Sequence, residues 1–149
     1  MKIRYTEEKL KQAIQDQLDV GHLKYESEKG VEINYQSFSL TAEVVTKDAI
    51  RIVGVLNGYT AYAEVYIDDL WADEAFRQQG YATELIQALE LQFKDSLFDY
   101  ICLCTSEFQA PSFYEKCGFE LEFKRTNKRN RKFNKYFFIK SLRKPEIGE

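Results

Sequence analysis

The spacing of apolar side chains along the 149 residues predicts helices and strands in alternation. Near the amino terminus, apolar residues recur at helical spacing: Leu10, Ala13, Ile14 and Leu18. Thr6 is expected to cap the start of this helix and Gly21 to end it, with a short strand over residues 2–5. Residues 22–34 have no clear period, and we assign them further helix followed by loop.

The middle of the chain reads as strands. Apolar residues alternate in part over 37–45, which predicts one strand. The dipeptide Asn57-Gly58 then lies between two apolar runs, a pattern typical of a tight hairpin turn. We therefore expect antiparallel strands near 49–56 and 61–72.

The second half predicts a helix, a strand, a short helix and two more strands. The first helix runs from about Gly80 to Phe93, with an apolar stripe at Ala82, Leu85, Ile86, Leu89 and Phe93. A strand at 100–105, a helix at 110–116 and strands at 119–125 and 135–142 follow. This order predicts an α/β fold: one domain over 1–149, with a mixed, mainly antiparallel central sheet, helices on both faces and a parallel crossover in the middle.

Composition supports a folded globule in a reducing compartment. Hydrophobic residues make up 44% and aromatic residues 15% of the chain, and no apolar run approaches the roughly 20 residues of a membrane span. The first residues lack the apolar core of a signal peptide, so a cytoplasmic protein with no membrane partner is expected. Cys102 and Cys104 share a strand face and are expected to pack in the core. With His22 as the only histidine, no metal site is expected.

Charge is uneven along the chain. The net charge is −3, yet residues 124–135 contain seven basic residues and no acid. A solvated hairpin loop is the favoured interpretation. Two alternatives are attraction of an anionic ligand to a neighbouring site and binding to nucleic-acid phosphates. The sequence pI near 5.4 makes nucleic acid an unlikely partner.

The stretch "FRQQGYATELIQALE" places polar residues and a glycine where a helix begins. The first turn of a helix leaves backbone N–H groups without partners, and its dipole favours anions. Gly80 allows a ligand to approach the backbone, and Arg77 adds a cation. The sequence contains neither a P-loop motif nor a dinucleotide-binding motif, so neither of these classes of phosphate ligand is indicated.

This stretch resembles a motif of the GCN5-related N-acetyltransferase (GNAT) superfamily, R/Q-x-x-G-x-G/A, from Arg77 to Ala82. A second family-like sequence, "FYEKCGF", runs from Phe113 to Phe119. The resemblance covers about residues 49–142 and points to a bacterial subgroup. It implies an enzyme that transfers the acetyl group of acetyl-CoA to a primary amine of a small molecule or peptide. A non-catalytic acyl-CoA-binding module of the same fold, acting as a regulator, is the alternative, and a homodimer is possible.

The resemblance also assigns roles to residues. The strand through Asp69 is expected to bulge and to splay from its neighbour, which admits the pantetheine arm of the cofactor. The loop and helix start after it would hold the pyrophosphate. The cofactor-binding set is Leu70, Trp71, Ala72, Arg77, Gln78, Gln79, Gly80, Tyr81, Ala82, Thr83 and Phe113.

For catalysis, the resemblance makes Tyr114 the acid that protonates the departing thiolate. The pKa of a tyrosine is ~10 and that of a thiol ~8.5, so a tyrosine can donate this proton with only a modest mismatch. A carboxylate near the acceptor could take the proton of the amine, directly or through water. On a regular strand Glu64, Asp68 and Leu70 share one face. The resemblance to the bacterial subgroup, whose members carry an acid at this place, favours Asp68, and Glu64 is second. A bulge would change the alternation and keep Asp69 as a candidate. Where many members of the family carry an asparagine, this chain has Glu107.

Overall fold

A computed structural model describes residues 1–143 of the chain. It separates into two compact units, residues 1–33 and a larger unit that begins at Asn34. The expectation of one domain over 1–149 stays a prediction. No helix within the described residues combines the length and hydropathy needed to cross a bilayer.

The first unit contains one helix, α1 (Gln12–Glu28). The predicted strand at 2–5 is wrong, as is the cap at Thr6, whose hydroxyl accepts from the Glu8 N–H in a bend before the helix. Helix α1 also continues through Gly21. It ends at Glu28, two residues before Gly30, which has φ 67°, and the N–H of Val31 bonds back to the Glu26 carbonyl. This closing pattern needs a left-handed residue, so the later glycine ends the helix.

The second unit is built on a six-stranded sheet with spatial order β1-β2-β3-β4-β6-β5. The strands are β1 (Gln36–Val45), β2 (Ile50–Ala61), β3 (Glu64–Ala72), β4 (Tyr100–Ser106), β5 (Glu120–Arg125) and β6 (Lys135–Ser141). Among the described strands, β3 and β4 pair in parallel and the other neighbours are antiparallel. The prediction of a mixed, mainly antiparallel sheet in an α/β fold is confirmed.

The predicted turn at Asn57-Gly58 is wrong. Strand β2 runs through both residues to Ala61, and the turn to β3 lies at Tyr62 and Ala63. Gly58 has a different role, because a Cβ atom at this position would lie 1.8 Å from the Tyr66 carbonyl oxygen. The glycine lets β2 and β3 approach each other inside the sheet.

Two helices follow β3 and β4 as predicted. Helix α2 (Tyr81–Phe93) connects these two strands, and the short α3 (Ser112–Lys116) lies between β4 and β5. The stripe predicted on α2 is buried at Leu85, Ile86 and Leu89. These three side chains belong to one hydrophobic core with residues of the sheet, among them Leu56, Val65, Ile67, Ile101 and Phe138. The buried face of α2 thus fixes the position of its first turn over the sheet.

We predict that Gly58→Ala destabilises the protein by about 3 kcal/mol and lowers Tm by about 10 °C, because backbone atoms must move to admit the new methyl group. Gly21→Ala is the matched control. It lies inside α1 with nothing within 4 Å of the added Cβ, and it should stabilise by about 0.5–1 kcal/mol. Thermal unfolding followed by circular dichroism measures both. An unchanged Tm for Gly58→Ala would contradict the assigned role.

Candidate active site

The parallel strands β3 and β4 separate half-way along the sheet. Their pairing runs from Glu64 opposite Tyr100 to Ile67 opposite Leu103 and then stops, although β3 continues to Ala72 and β4 to Ser106. The edge of β3 that faces β4 is therefore unpaired from Asp68 onward within the described residues. A segment of extended ligand can hydrogen-bond to such an edge as an added strand does.

A β-bulge lies where the two strands separate. Asn57 of β2 faces Asp69 and Gly58 faces Ile67, so Asp68 is an extra residue on β3. A bulge reverses the side-chain alternation beyond it. Val65 and Ile67 are in the core before the bulge, and Leu70 packs against the core after it. The expectation that Leu70 shares a face with Glu64 and Asp68 is therefore wrong.

The loop after β3 ends in a set of free backbone donors. Gln78 has φ 65° and Gly80 has φ 79°, so two left-handed residues turn the chain into α2. In the described part of the chain, none of the six N–H groups from Gln78 to Thr83 has a hydrogen-bond partner. Nothing lies within 4 Å of a Cβ built on Gly80. This arrangement is an open anion cradle with Arg77 beside it.

Tyr114 lies on α3 in an aromatic cluster. Its ring contacts Phe113, Phe119 and Phe138 at centroid distances of 5.2, 6.0 and 5.8 Å. Burial raises the pKa of the Tyr114 hydroxyl, and the neighbouring Cys117 raises it further. Across residues 1–143, no group hydrogen-bonds with this hydroxyl, so it is free to donate to a ligand.

Side-chain contacts attach the end of α3 to α2. Burial raises the pKa of Cys117, and a hydrogen bond from Thr83 in the first turn of α2 partly offsets that effect. The ammonium of Lys140 lies 2.5 Å from a carboxylate oxygen of Glu90 on α2 and 2.7 Å from the Cys117 carbonyl oxygen. These contacts hold Tyr114 on the same side of the sheet as the anion cradle.

An acidic cavity of about 440 Å³ opens near the separation of the strands. Its lining includes Glu64 and Asp68 from β3 and Glu122 from β5, and no lining residue is basic. Glu64 accepts a hydrogen bond from the Tyr66 hydroxyl. Asp68 and Glu122 have no partner anywhere in residues 1–143. The remaining walls are aromatic, aliphatic and thiol side chains: Tyr59, Tyr66, Ile67, Cys102, Leu103, Cys104, Phe137 and Phe138.

The unpaired strand edge, the anion cradle and the half-buried tyrosine all belong to the larger unit. Residues 8–119 match the model of the acetyltransferase (GNAT) family. The chain belongs to this family.

Solved GNAT structures share the fold. An acetyltransferase from Bacillus cereus is 24% identical with a TM-score of 0.71, and the match covers 92% of this chain and 97% of that one. A protein from Agrobacterium tumefaciens assigned as an acetyltransferase is 19% identical with a TM-score of 0.75, covering 95% and 99%. An aminoglycoside 6'-N-acetyltransferase in complex with coenzyme A is 18% identical with a TM-score of 0.60, covering 91% and 95%. A search of curated proteins finds no match to this sequence.

Within this GNAT fold, the structure separates the predicted site residues into two groups. The cofactor set from Leu70 to Thr83 follows the unpaired edge and the cradle, with Phe113 next to Tyr114. The catalytic candidates Glu64 and Asp68 line the acidic cavity, whereas Asp69 does not. Sequence reasoning missed Glu122, which lies at a second bulge between Leu121 opposite Phe138 and Phe123 opposite Phe137.

The two strand cysteines are not core residues. Cys102 is half-buried and Cys104 is exposed, and both line the cavity. The core prediction is wrong because the buried face of β4 carries Ile101, Leu103 and Thr105 instead. Burial raises the pKa of Cys102 to about 12, with smaller contributions from Glu64 and Glu122, so this side chain stays a neutral thiol.

Glu107, at the position where many GNAT proteins carry asparagine, has a structural role here. Its carboxylate accepts from the Tyr136 hydroxyl at 2.6 Å and from the Asn134 side-chain amide at 3.1 Å. Asn134 is buried and accepts from the Asn127 N–H, which closes the loop between β5 and β6. The seven basic residues of 124–135 are all exposed: Lys124 and Arg125 end β5, Lys135 begins β6, and the other four lie on the predicted hairpin loop between these strands.

We predict that Glu107 contributes stability at neutral pH that is lost in acid. The hydrogen bond from Tyr136 is the largest of the effects that lower the pKa of this carboxyl below its usual value of about 4.3. A depressed folded-state pKa gives stability that is complete above the unfolded pKa and is lost as pH falls through the folded one. Thermal unfolding between pH 7 and pH 3 should therefore show a larger fall in Tm for the wild type than for Glu107→Gln.

Tyr136→Phe tests the cause, since it removes the donor and keeps the ring. It should reduce the pH dependence of Tm in the same direction as Glu107→Gln. Parallel curves for all three proteins would contradict the role given to this hydrogen bond.

Proposed function

We propose that the protein is an N-acetyltransferase that uses acetyl-CoA as donor and the primary amine of a small molecule or peptide as acceptor. The observation that supports it most is the run of six unpartnered N–H groups from Gln78 to Thr83, next to an unpaired strand edge. Together they offer donors for a diphosphate and an edge for the amide-containing arm of coenzyme A. The family match supports acetyl transfer as the chemistry.

The donor would bind along the separation between β3 and β4. The N–H groups of the cradle would donate to the diphosphate oxygens, with Arg77 supplying the cation and the α2 dipole adding to the attraction. The pantetheine amides would pair with the β3 backbone from Leu70 to Ala72. Phe113 would contact the donor beside the thioester. The basic residues of 124–135 would attract the 3′-phosphate of coenzyme A through their charge.

The reaction is attack of a neutral amine on the thioester carbon. A bond forms between the amine nitrogen and the acyl carbon, and the bond from that carbon to sulfur breaks. The departing sulfur takes the proton of Tyr114, and the proton released by the nitrogen restores the tyrosine. The products are an amide and free coenzyme A.

Two acid–base groups fit these proton transfers. The raised pKa of Tyr114 keeps its hydroxyl protonated above pH 7, as an acid must be. An acceptor ammonium with a pKa near ~10.4 must first lose a proton. Asp68 is the favoured base, because its carboxylate lines the cavity without a partner in the described chain, and Glu64 beside it is the second candidate.

Thiol release from acetyl-CoA in the presence of an amine panel tests this function. Structural neighbours act on different amines: one is an aminoglycoside 6'-acetyltransferase type Ii, another a ribosomal-protein-S18-alanine N-acetyltransferase from Escherichia coli. The panel should therefore contain aminoglycosides, alkyl mono- and diamines, and peptides with free amino termini. Coenzyme A binding without turnover on any amine would reject the enzyme and support a regulatory acyl-CoA-binding module.

We predict that Tyr114→Phe lowers kcat by about 10²–10⁴-fold because sulfur would leave without a proton donor. In the wild type, kcat should fall at alkaline pH as the tyrosine ionises, above the usual tyrosine value of about 10 because its pKa is raised. The variant should lose this alkaline limb. Tyr100→Phe removes a hydroxyl from an exposed β4 tyrosine and should keep the wild-type profile. An unchanged kcat for Tyr114→Phe would reject the acid assignment.

We predict that Gly80→Ala weakens coenzyme A binding by about tenfold, as measured by calorimetry. The residue has φ 79°, where an L side chain costs about 1 kcal/mol, and relief of that strain would misalign the adjacent N–H donors. Gly30→Ala is the control, since Gly30 has φ 67° and equally open surroundings but belongs to the other unit. It should cost similar stability and leave affinity unchanged. Equal affinities for both variants would argue against the cradle.

A further inference from the structure

The cradle loop, residues 77–80, has little internal support. Its N–H groups from Gln78 onward have no partner within residues 1–143, which suits a ligand and leaves the loop without bonds that would hold its shape. Gln78 also has φ 65°, a left-handed conformation that a residue other than glycine keeps only when the surrounding structure enforces it. The contacts on either side of the loop must therefore set its conformation.

Arg51 supplies such a contact where the chain leaves β3. The first residues of β2 extend beyond the end of β3, and Arg51 is one of them. Its guanidinium donates to Oδ2 of Asp73 at 3.0 Å. The Oδ1 atom of Asp73 accepts from the Ala75 N–H, also at 3.0 Å, which caps the 3₁₀ turn Glu74–Phe76. The two carboxylate oxygens of Asp73 thus connect β2 with the turn that precedes the cradle loop.

The same guanidinium contacts the last residue of that turn. Its Cζ atom lies 5.0 Å from the centroid of the Phe76 ring, which is a cation–π contact. The Phe76 ring in turn lies 6.3 Å from the ring of Tyr81, the first residue of α2. The cradle loop therefore runs between two aromatic residues that contact each other, and Arg51 holds the first of them.

The pair formed by Arg51 and Asp73 acts on local order more than on folding. The hydrogen bond from the Ala75 N–H, and after it the one from Arg51, lowers the pKa of the Asp73 carboxyl, so the pair is charged at neutral pH. The Arg51 side chain is 54% exposed, and exposed ion pairs contribute little to global stability. Removing Arg51 should thus loosen the turn and leave the protein folded.

We propose that Arg51 is a positioning residue for coenzyme A, which keeps the cradle loop in its diphosphate-binding conformation by holding Asp73 and Phe76. This inference rests on the proposed acetyl transfer and assigns the residue that prepares the donor site. In this role Arg51 does not itself contact a phosphate. A loop that adopts the binding conformation only part of the time has a higher apparent Kd. Loss of Arg51 should therefore weaken donor binding without changing the chemical step.

Calorimetry with coenzyme A tests this role. Arg51→Gln should raise Kd by about fivefold, while Tm falls by no more than about 4 °C. Arg143→Gln is the matched control, because it removes another exposed arginine ion pair, with Asp99, at the opposite end of β3 from the cradle. It should leave Kd unchanged. An unchanged Kd for Arg51→Gln would overturn the inference and leave acetyl transfer intact.

A double-mutant cycle distinguishes positioning from direct contact with the ligand. Asp73→Asn keeps a side-chain oxygen for the Ala75 N–H and removes the charge that pairs with Arg51. In that background, Arg51→Gln should raise Kd by no more than about twofold, because most of its interaction is already lost. The full effect in both backgrounds would mean that Arg51 binds the ligand directly, and it would overturn the inference.

Steady-state rates provide a second readout. With an acceptor amine from the panel, Arg51→Gln should raise KM for acetyl-CoA by about fivefold and keep kcat within about twofold of the wild type. A lower kcat with an unchanged KM would overturn the inference. If coenzyme A binds to the wild type and no amine is acetylated, the proposed enzyme function fails, and the calorimetric comparison still decides the role of Arg51.

Discussion

The early end of the pairing between β3 and β4 is the constraint on which the site depends. Parallel strands stay together only while their backbones remain in register, and the extra Asp68 residue breaks that register after Ile67. Gly58 makes the bulge possible, since any side chain there would collide with the Tyr66 carbonyl. One small residue on β2 therefore permits the bulge in β3 at which β3 and β4 separate. The same event exposes a strand edge and moves a carboxylate beside it.

Helices α2 and α3 position the N–H donors and Tyr114 next to the opening in the sheet. The buried stripe of α2 fixes the start of that helix against the core, so its free N–H groups are already directed before any ligand arrives. Lys140 links Glu90 of α2 to the last turn of α3, which carries Tyr114. Donor and acid groups on separate helices are thereby held by one framework.

Sequence reasoning succeeded where a local pattern has one structural solution. The apolar stripe from Ala82 to Phe93 lies on α2, and Gly80 precedes the first residue of that helix. The three strands predicted in the second half of the chain correspond to β4, β5 and β6. It failed at Asn57-Gly58, because the same dipeptide suits a tight turn and a close contact inside a sheet, and only tertiary structure distinguishes them. The same limit explains the missed Glu122. Whether a strand residue is extra or paired depends on its partner strand, and the sequence "FELEFKR" does not contain that partner.

The loop between β5 and β6 has a consequence for how this protein can change over evolutionary time. Three asparagines determine its path: Asn127 accepts from the N–H groups of Arg129 and Asn130, Asn130 accepts from that of Lys132, and Asn134 is buried beneath them. The basic side chains take no part in these backbone contacts. Apart from Arg131, whose guanidinium lies 4.0 Å from the Glu107 carboxylate, the number and sign of these charges can drift from one descendant to the next while the loop keeps its shape, so that substitutions there retune the surface potential and leave the fold in place.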